Sequence, residues 1–226
     1  MNSIRPITFV EAPIAASATF GIAALAVVFL GITQTAAAVR DGAARGALAR
    51  AEALPRGMER DTALAKSLVA IEDATKAAPE DARTHARAAR AYYLQATTAT
   101  IDEVSPALLD AADRAAREAL AQSPHNASAH AMTALIGITR QNGAVNAAAL
   151  DAVAQSYAAP ASGEGAVWRL EAAARAWNAL PSALRQRVTA DACQQAAGDR
   201  VFAASFAEVV RGMPDSGIGA CAAPAG

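Results

Sequence analysis

EDATKAAPEDARTHARAAR, residues 72–90, returns forty-five positions later as REALAQSPHNASAHAMTAL, residues 117–135. Ala74, Pro79, Ala82, His85, Ala86 and Ala89 recur as Ala119, Pro124, Ala127, His130, Ala131 and Ala134. A unit repeated at fixed spacing signals stacked helical hairpins, because one hairpin cannot bury its apolar face alone. Each residue type suits that role. Pro79 and Pro124 close one helix, since proline offers no amide and clashes with the preceding turn. Ala74 and Ala119 sit five residues earlier, where a small side chain lets the paired helix approach. Ala89 and Ala134 fall at the crossing point of the next helix. The repeat therefore assigns His85 and His130 to packing or a hydrogen-bonded core position. Their spacing fits no local metal-ligand motif, and His125 with His130 does not share a helix face.

The rest of the chain keeps the same rhythm. Helices are expected over about 61–78, 80–97, 106–123, 126–142, 146–157, 166–180, 183–196 and 199–211. Asp61, Ser105, Asn126, Ser182 and Asp199 are their expected N-caps, with Pro106 at a first helical position. Asn142–Gly143 supplies a helix stop. No stretch sustains period-two alternation, so the fold class is all-α, a short solenoid of antiparallel hairpins. The composition agrees: hydrophobic residues make up 54% but aromatics only 4%. Alanine is the best helix former and buries little area, which favours close helix contacts.

The repeats resemble the tetratricopeptide family. Ile71, Ala74, Pro79, Ala89 and Tyr92 match its pattern in the first copy, and Ala119, Pro124 and Ala134 in the second. The 45-residue spacing exceeds the family's usual ~34, with the excess in the 97–105 connector. His85 and His130 replace an aromatic, and Gly137 stands where tyrosine would be. The resemblance covers about 70 residues and implies protein binding through a concave face. A second stretch, WRLEAAARAWNALPSALRQRVTADA (168–192), resembles a segment of membrane-anchored bacterial proteins associated with extracellular polysaccharide production.

Ahead of the repeats lies an uncharged gap from Glu11 to Arg40. Its core, IAASATFGIAALAVVFLGI (14–32), has nineteen residues, which at about 1.5 Å each approach the roughly 30 Å hydrocarbon layer. The division read from sequence is an N-terminal tail 1–12, a transmembrane helix 13–38 that contacts the lipid bilayer, a juxtamembrane segment 39–60, a helical domain 61–212 and an irregular tail 213–226. A cleaved signal, cut near Thr35–Val39, is the rival reading. Arg40, Arg45, Arg50 and Arg56 follow the span and favour a cytoplasmic domain by the positive-inside rule. The short N-terminus and the two cysteines favour an exported, periplasmic domain on the inner membrane, which is the expectation retained. Cys193 and Cys221 are the only cysteines. A bridge between them would close a loop of about 28 residues in an oxidising compartment.

Arg83, Arg87 and Arg90 occur at i, i+4 and i+7 and share one helical face. They form the candidate binding groove with Trp168; Trp168 and Trp177 lie nine apart on opposing sides of one expected helix, and whichever is exposed could stack a sugar ring. Such a groove could hold an anionic glycan or a peptide carboxylate, because guanidinium meets carboxylates with two parallel bonds. The alternative is a face paired with nearby carboxylates. Asp110/Arg114, Asp113/Arg117 and Arg114/Glu118 are expected solvent-face pairs. The net charge of −1 gives no field for nucleic acid. No catalytic, cofactor or metal motif is present in the sequence. The expected function is a membrane-anchored scaffold for a protein partner in a bacterial envelope assembly, in polysaccharide synthesis or export. An envelope glycan-binding protein is the alternative.

Overall fold

The computed structural model describes residues 12–98, 104–161, 163–198, 206 and 209, with side chains from residue 33 onward. The described residues are all-helical: α1 (Ala12–Ala53), α2 (Met58–Ala77), α3 (Ala82–Thr98), α4 (Pro106–Gln122), α5 (Ala127–Arg140), α6 (Ala147–Ser156), α7 (Glu164–Ala176), a 3-10 turn (Trp177–Ala179) and α8 (Ser182–Gly198). The chain divides into two units, Met1–Val39 and Arg40–Gly226. The transmembrane expectation for 13–38 falls mainly on residues whose side chains lie outside the described set. Among the described residues no helix is long and apolar enough to cross a membrane. The helix expected over 199–211 and the tail 213–226 likewise lie outside the described residues, apart from Phe206 and Val209.

Within the second unit the two sequence copies form two hairpins, α2/α3 and α4/α5. The later helix of each is the more enclosed. α3 buries Ala86, Ala89, Ala91, Tyr93, Leu94 and Ala96, and α5 buries Ala127, Ala129, Ala131, Met132, Ala134, Leu135, Ile136 and Ile138. α3 packs on α2, α4 and α5, and α5 in turn packs on α6 and α7. Alanine at most of these positions permits the close approach that the repeat predicts.

Local chemistry sets the helix boundaries. Asn126 and Asn146 accept the Ala129 and Ala149 amides at 3.0 and 2.8 Å, capping α5 and α6. Ser105 precedes Pro106 as expected, but its hydroxyl makes no cap bond. Asp61 is not a cap. α2 begins earlier, after Gly57, whose φ of 147° a side chain would resist. Asp81 performs the capping of α3, accepting from the Arg83 amide at 3.0 Å. At the end of α5 the Gly143 amide bonds Ile138 O and the Asn142 amide bonds Thr139 O, at 2.9 and 3.0 Å. That pair is the Schellman closure, and the left-handed residue is Asn142 itself, at φ 52°.

The segment 39–60, expected to be a partly helical spacer, also contributes to the core. It is helical through Ala53, and Ala44, Leu48 and Ala51 are fully buried in the core. Their i, i+4, i+7 spacing places them on one face.

α7 meets α5 closely at Gly165, where an added Cβ would lie 2.4 Å from Ser128 Oγ. Gly165→Ala is therefore expected to couple to Ser128. Helix propensity favours alanine, while Ser128 must rotate away to admit it. A double-mutant cycle should show Gly165→Ala about 1 kcal/mol or more worse with Ser128 present than in the Ser128→Ala background. Additive effects in urea denaturation would contradict the contact.

Candidate functional site

Two polar clusters stand out, one enclosed and one open. The enclosed one contains the expected groove arginines. Arg87 pairs with Asp41 of α1 and, at 2.6 Å, with Glu164 of α7. Arg90 Nε donates to Glu52 of α1 at 2.8 Å, and its Nη1 lies 2.6 Å from Glu171 of α7 without hydrogen-bond alignment. The Arg90 guanidinium also faces the Tyr93 and Trp168 rings, 5.9 and 5.8 Å from their centroids. Arg175 completes the group at 3.2 Å from Glu171.

Trp168 is 1% exposed and Arg87 and Arg90 are 4% and 6% exposed, so these three are not the wall of a free groove. Of the four expected groove residues only Arg83 faces solvent. The face does carry its arginines at helical spacing, but α1 and α7 cover it.

The electrostatics follow from that enclosure. Burial works against the Arg90 charge, yet Glu171 and Glu52 outweigh it and hold the guanidinium more firmly protonated than usual. Burial pushes the Glu171 carboxyl up, but Arg90 and Arg175 prevail and set it below the ordinary 4.5. At Glu164 and Asp191 burial prevails over Arg87 and Arg169 respectively, and both carboxyls titrate higher than usual. The signs therefore differ. A depressed folded value means that Glu171 contributes stability above the unfolded value, lost as pH falls through the folded one. Raised values at Glu164 and Asp191 give the reverse slope at higher pH. The acid limb of a urea-midpoint profile, taken from about pH 6 to about pH 3, should flatten in Glu171→Gln. An unchanged acid limb would contradict the assignment.

Cys193 is disulfide-bonded, and its expected partner Cys221 lies outside the described residues. The expected pair Asp113–Arg117 forms, whereas Asp110 and Asp113 both also reach Arg140 of α5, at 2.5 and 3.0 Å. Among the described residues Arg114 makes no ion pair with Asp110 or Glu118.

The open cluster is a cleft of about 320 Å³ where the first helices of the two repeats, α2 and α4, stand apart over α3. Leu68 and Ile71 form one wall, Ala111 and Ala115 the other, and Ala88 and Tyr92 the floor. Glu72, Lys76, Arg114 and Glu118 stand at the lips, with His85 at one end.

The two matched histidines perform the same task in both copies. The Nε2–H of His85 donates to Pro79 O and that of His130 to Pro124 O, each at 2.8 Å. Each ring thus fastens the second helix of its hairpin to the turn. His85 Nδ1 also lies 3.1 Å from Glu118 Oε2 of the second hairpin, a contact that becomes an ion pair only with both ring nitrogens protonated.

The Tyr92 hydroxyl lies near the Glu72 carboxylate. Burial first, then that carboxylate, raise its titration above the usual 10.0, so it stays a neutral donor. Tyr92's counterpart in the second copy is Gly137, where an added Cβ would stand in ordinary contact with Ala149 of α6, at 3.8 Å.

Sequence reading did not single out this cleft. No known protein family, curated protein or solved structure matches the chain.

Proposed function

We propose that this chain is a membrane-anchored, tetratricopeptide-like scaffold that holds a protein partner in a bacterial envelope assembly, with polysaccharide synthesis or export as the setting. The cleft between α2 and α4 carries the reading. It is open, apolar at its floor and polar at its lips, which is the anatomy of a protein-binding patch. Residues 13–38 serve as the anchor in this reading.

The glycan alternative is the weaker reading, because Trp168 and two of its three arginines are used inside the fold, although Trp177 stays partly exposed. A photoreactive amino acid at Lys76 of the membrane-embedded chain should give a reproducible protein adduct. The same group at exposed Arg185 on α8 should give none. Identical adducts from both positions, or none from Lys76, would sink the scaffold reading.

A periplasmic domain is supported by the bonded state of Cys193, since disulfides persist in oxidising compartments. The exposed arginines Arg40, Arg45, Arg50 and Arg56 pull the other way. Mass spectrometry of the chain from native membranes decides between them. A Cys193–Cys221 peptide is expected without reductant, and reduction should cost on the order of 3 kcal/mol. Two free thiols would remove both the bridge and the export orientation.

A further inference from the structure

The arginine face of α3 already has an occupant, the end of α1. Asp41 pairs with Arg87 and accepts from the Thr84 hydroxyl at 3.5 Å. Glu52, eleven residues on, accepts from Arg90 at 2.8 Å. Between them in sequence, Ala44, Leu48 and Ala51 are 0% exposed. All five fall within an arc of about 100° on the helix, and the two carboxylates stand about 16 Å apart along its axis. Three features make this cover removable. Leu48 is its single large buried side chain. Gly42 and Gly46 lower its own helical stability. Both arginines also keep a second carboxylate on α7, since Arg87 donates to Glu164 at 2.6 Å and Arg90 Nη1 lies 2.6 Å from Glu171. Departure of residues 40–53 therefore strands no buried cation, which is the step that would otherwise lock them in place.

From these observations we infer that residues 40–53 are a releasable strap, and that the arginine face beneath them takes an amphipathic helix of the protein partner in its place. The chemistry of that helix is read from the strap itself. It carries two carboxylates eleven residues apart, which Arg87 and Arg90 meet with charge-assisted bonds. A leucine seven residues after the first carboxylate takes the place of Leu48. Exchange replaces the strap contact for contact and leaves the inner pairs to Glu164 and Glu171 as they are. Elements that give way to a ligand come from the less stable parts of a fold, and the strap has that composition. The source of the incoming helix rests on the scaffold reading; its recognition by the face does not.

The test uses the full chain in zwitterionic nanodiscs. The probe is a fluorescently labelled peptide of residues 40–53 of this sequence, read by anisotropy. In the wild-type chain the strap competes from within, at an effective concentration on the order of millimolar, so the peptide should bind weakly. Leu48→Ala leaves the face uncovered for a larger fraction of the time, and the peptide should bind that chain at least about tenfold more tightly. Asp41→Asn with Glu52→Gln opens the strap a second way, without a cavity, and should act in the same direction. This second chain carries the test if Leu48→Ala weakens the whole domain. A peptide bearing Asp41→Asn and Glu52→Gln should bind either opened chain at least about tenfold more weakly than the parent peptide, the scale for losing a charge-assisted hydrogen bond.

No saturable binding to either opened chain, equal affinity for opened and wild-type chains, or indifference to the peptide's carboxylates would each overturn the inference. Full-chain dimers that the peptide dissociates, read by native mass spectrometry, would give the face to a second copy's strap and overturn the assignment to a partner. The Lys76 adduct reports on the scaffold reading separately. Its absence while the peptide binds counts against that reading alone. An adduct without peptide binding counts against the strap alone.

Discussion

Arg90→Ala is expected to lower the unfolding free energy by about 3–5 kcal/mol, the scale for breaking a buried ion pair from one side. The guanidinium lies between Glu52 and Glu171, and removing it leaves both carboxylates in a poorly solvated place. Arg175 still compensates Glu171, but Glu52 has no other cation in the network. The substitution also removes the cationic contacts to Tyr93 and Trp168, each worth about 0.5–2 kcal/mol. Most of the penalty belongs to the stranded charges and not to the lost attraction. The control follows from that division. Arg90→Met combined with Glu52→Gln and Glu171→Gln should recover much of the loss, because neither charge remains to be stranded. Urea denaturation of the full chain in nanodiscs reads both. A loss under about 1 kcal/mol for Arg90→Ala would mean that the two carboxylates reach water freely.

The same residues show how far the sequence could be read. Arg83, Arg87 and Arg90 do share a face, as their spacing requires, and carboxylates do pair with that face. Those carboxylates come from α1 and α7, 38 to 81 positions away (90 − 52 and 171 − 90). Helical periodicity fixes which residues share a face, but it carries no information about what covers that face. The helix boundaries were more legible because their signals are local. Pro79, Pro106, Asn126 and Asn146 act within one turn of where they stand. Asp61 failed because Gly57 offers the earlier start. The histidine pair was legible through duplication alone: repetition pointed to structure, and the repeated bond to a proline carbonyl supplies the reason. Tyr92 against Gly137 was visible as a departure from the pattern. Where the tyrosine stands, in the floor of the α2/α4 cleft, needed the helices in place.

Leu48→Ala tests the part of the fold that the sequence concealed. Residues 39–60 carry Gly42, Gly46, Pro55 and Gly57 and have few large apolar side chains, the composition of a spacer. Their apolar face consists of Ala44, Leu48 and Ala51, with only one large member. Packing overrides the cost of two helical glycines, about 1 kcal/mol each relative to alanine. Leu48 is 0% exposed, so its truncation should cost about 2–5 kcal/mol, the range for a fully buried leucine. Amide exchange over residues 40–53 should accelerate before the rest of the domain opens. The ion pairs limit the damage. If this segment loosens, Asp41 and Glu52 leave with it, while Arg87 keeps Glu164 and Arg90 keeps Glu171. Neither arginine is left bare and both departing carboxylates reach water. Leu48→Ala should therefore reduce what Arg90→Ala costs, because Glu52 is no longer held where its charge is stranded. The double variant is expected to lose less than the sum of the two single losses, by about 1 kcal/mol or more. Strict additivity would mean that the segment stays docked without Leu48, and that its carboxylates and its apolar face hold it independently.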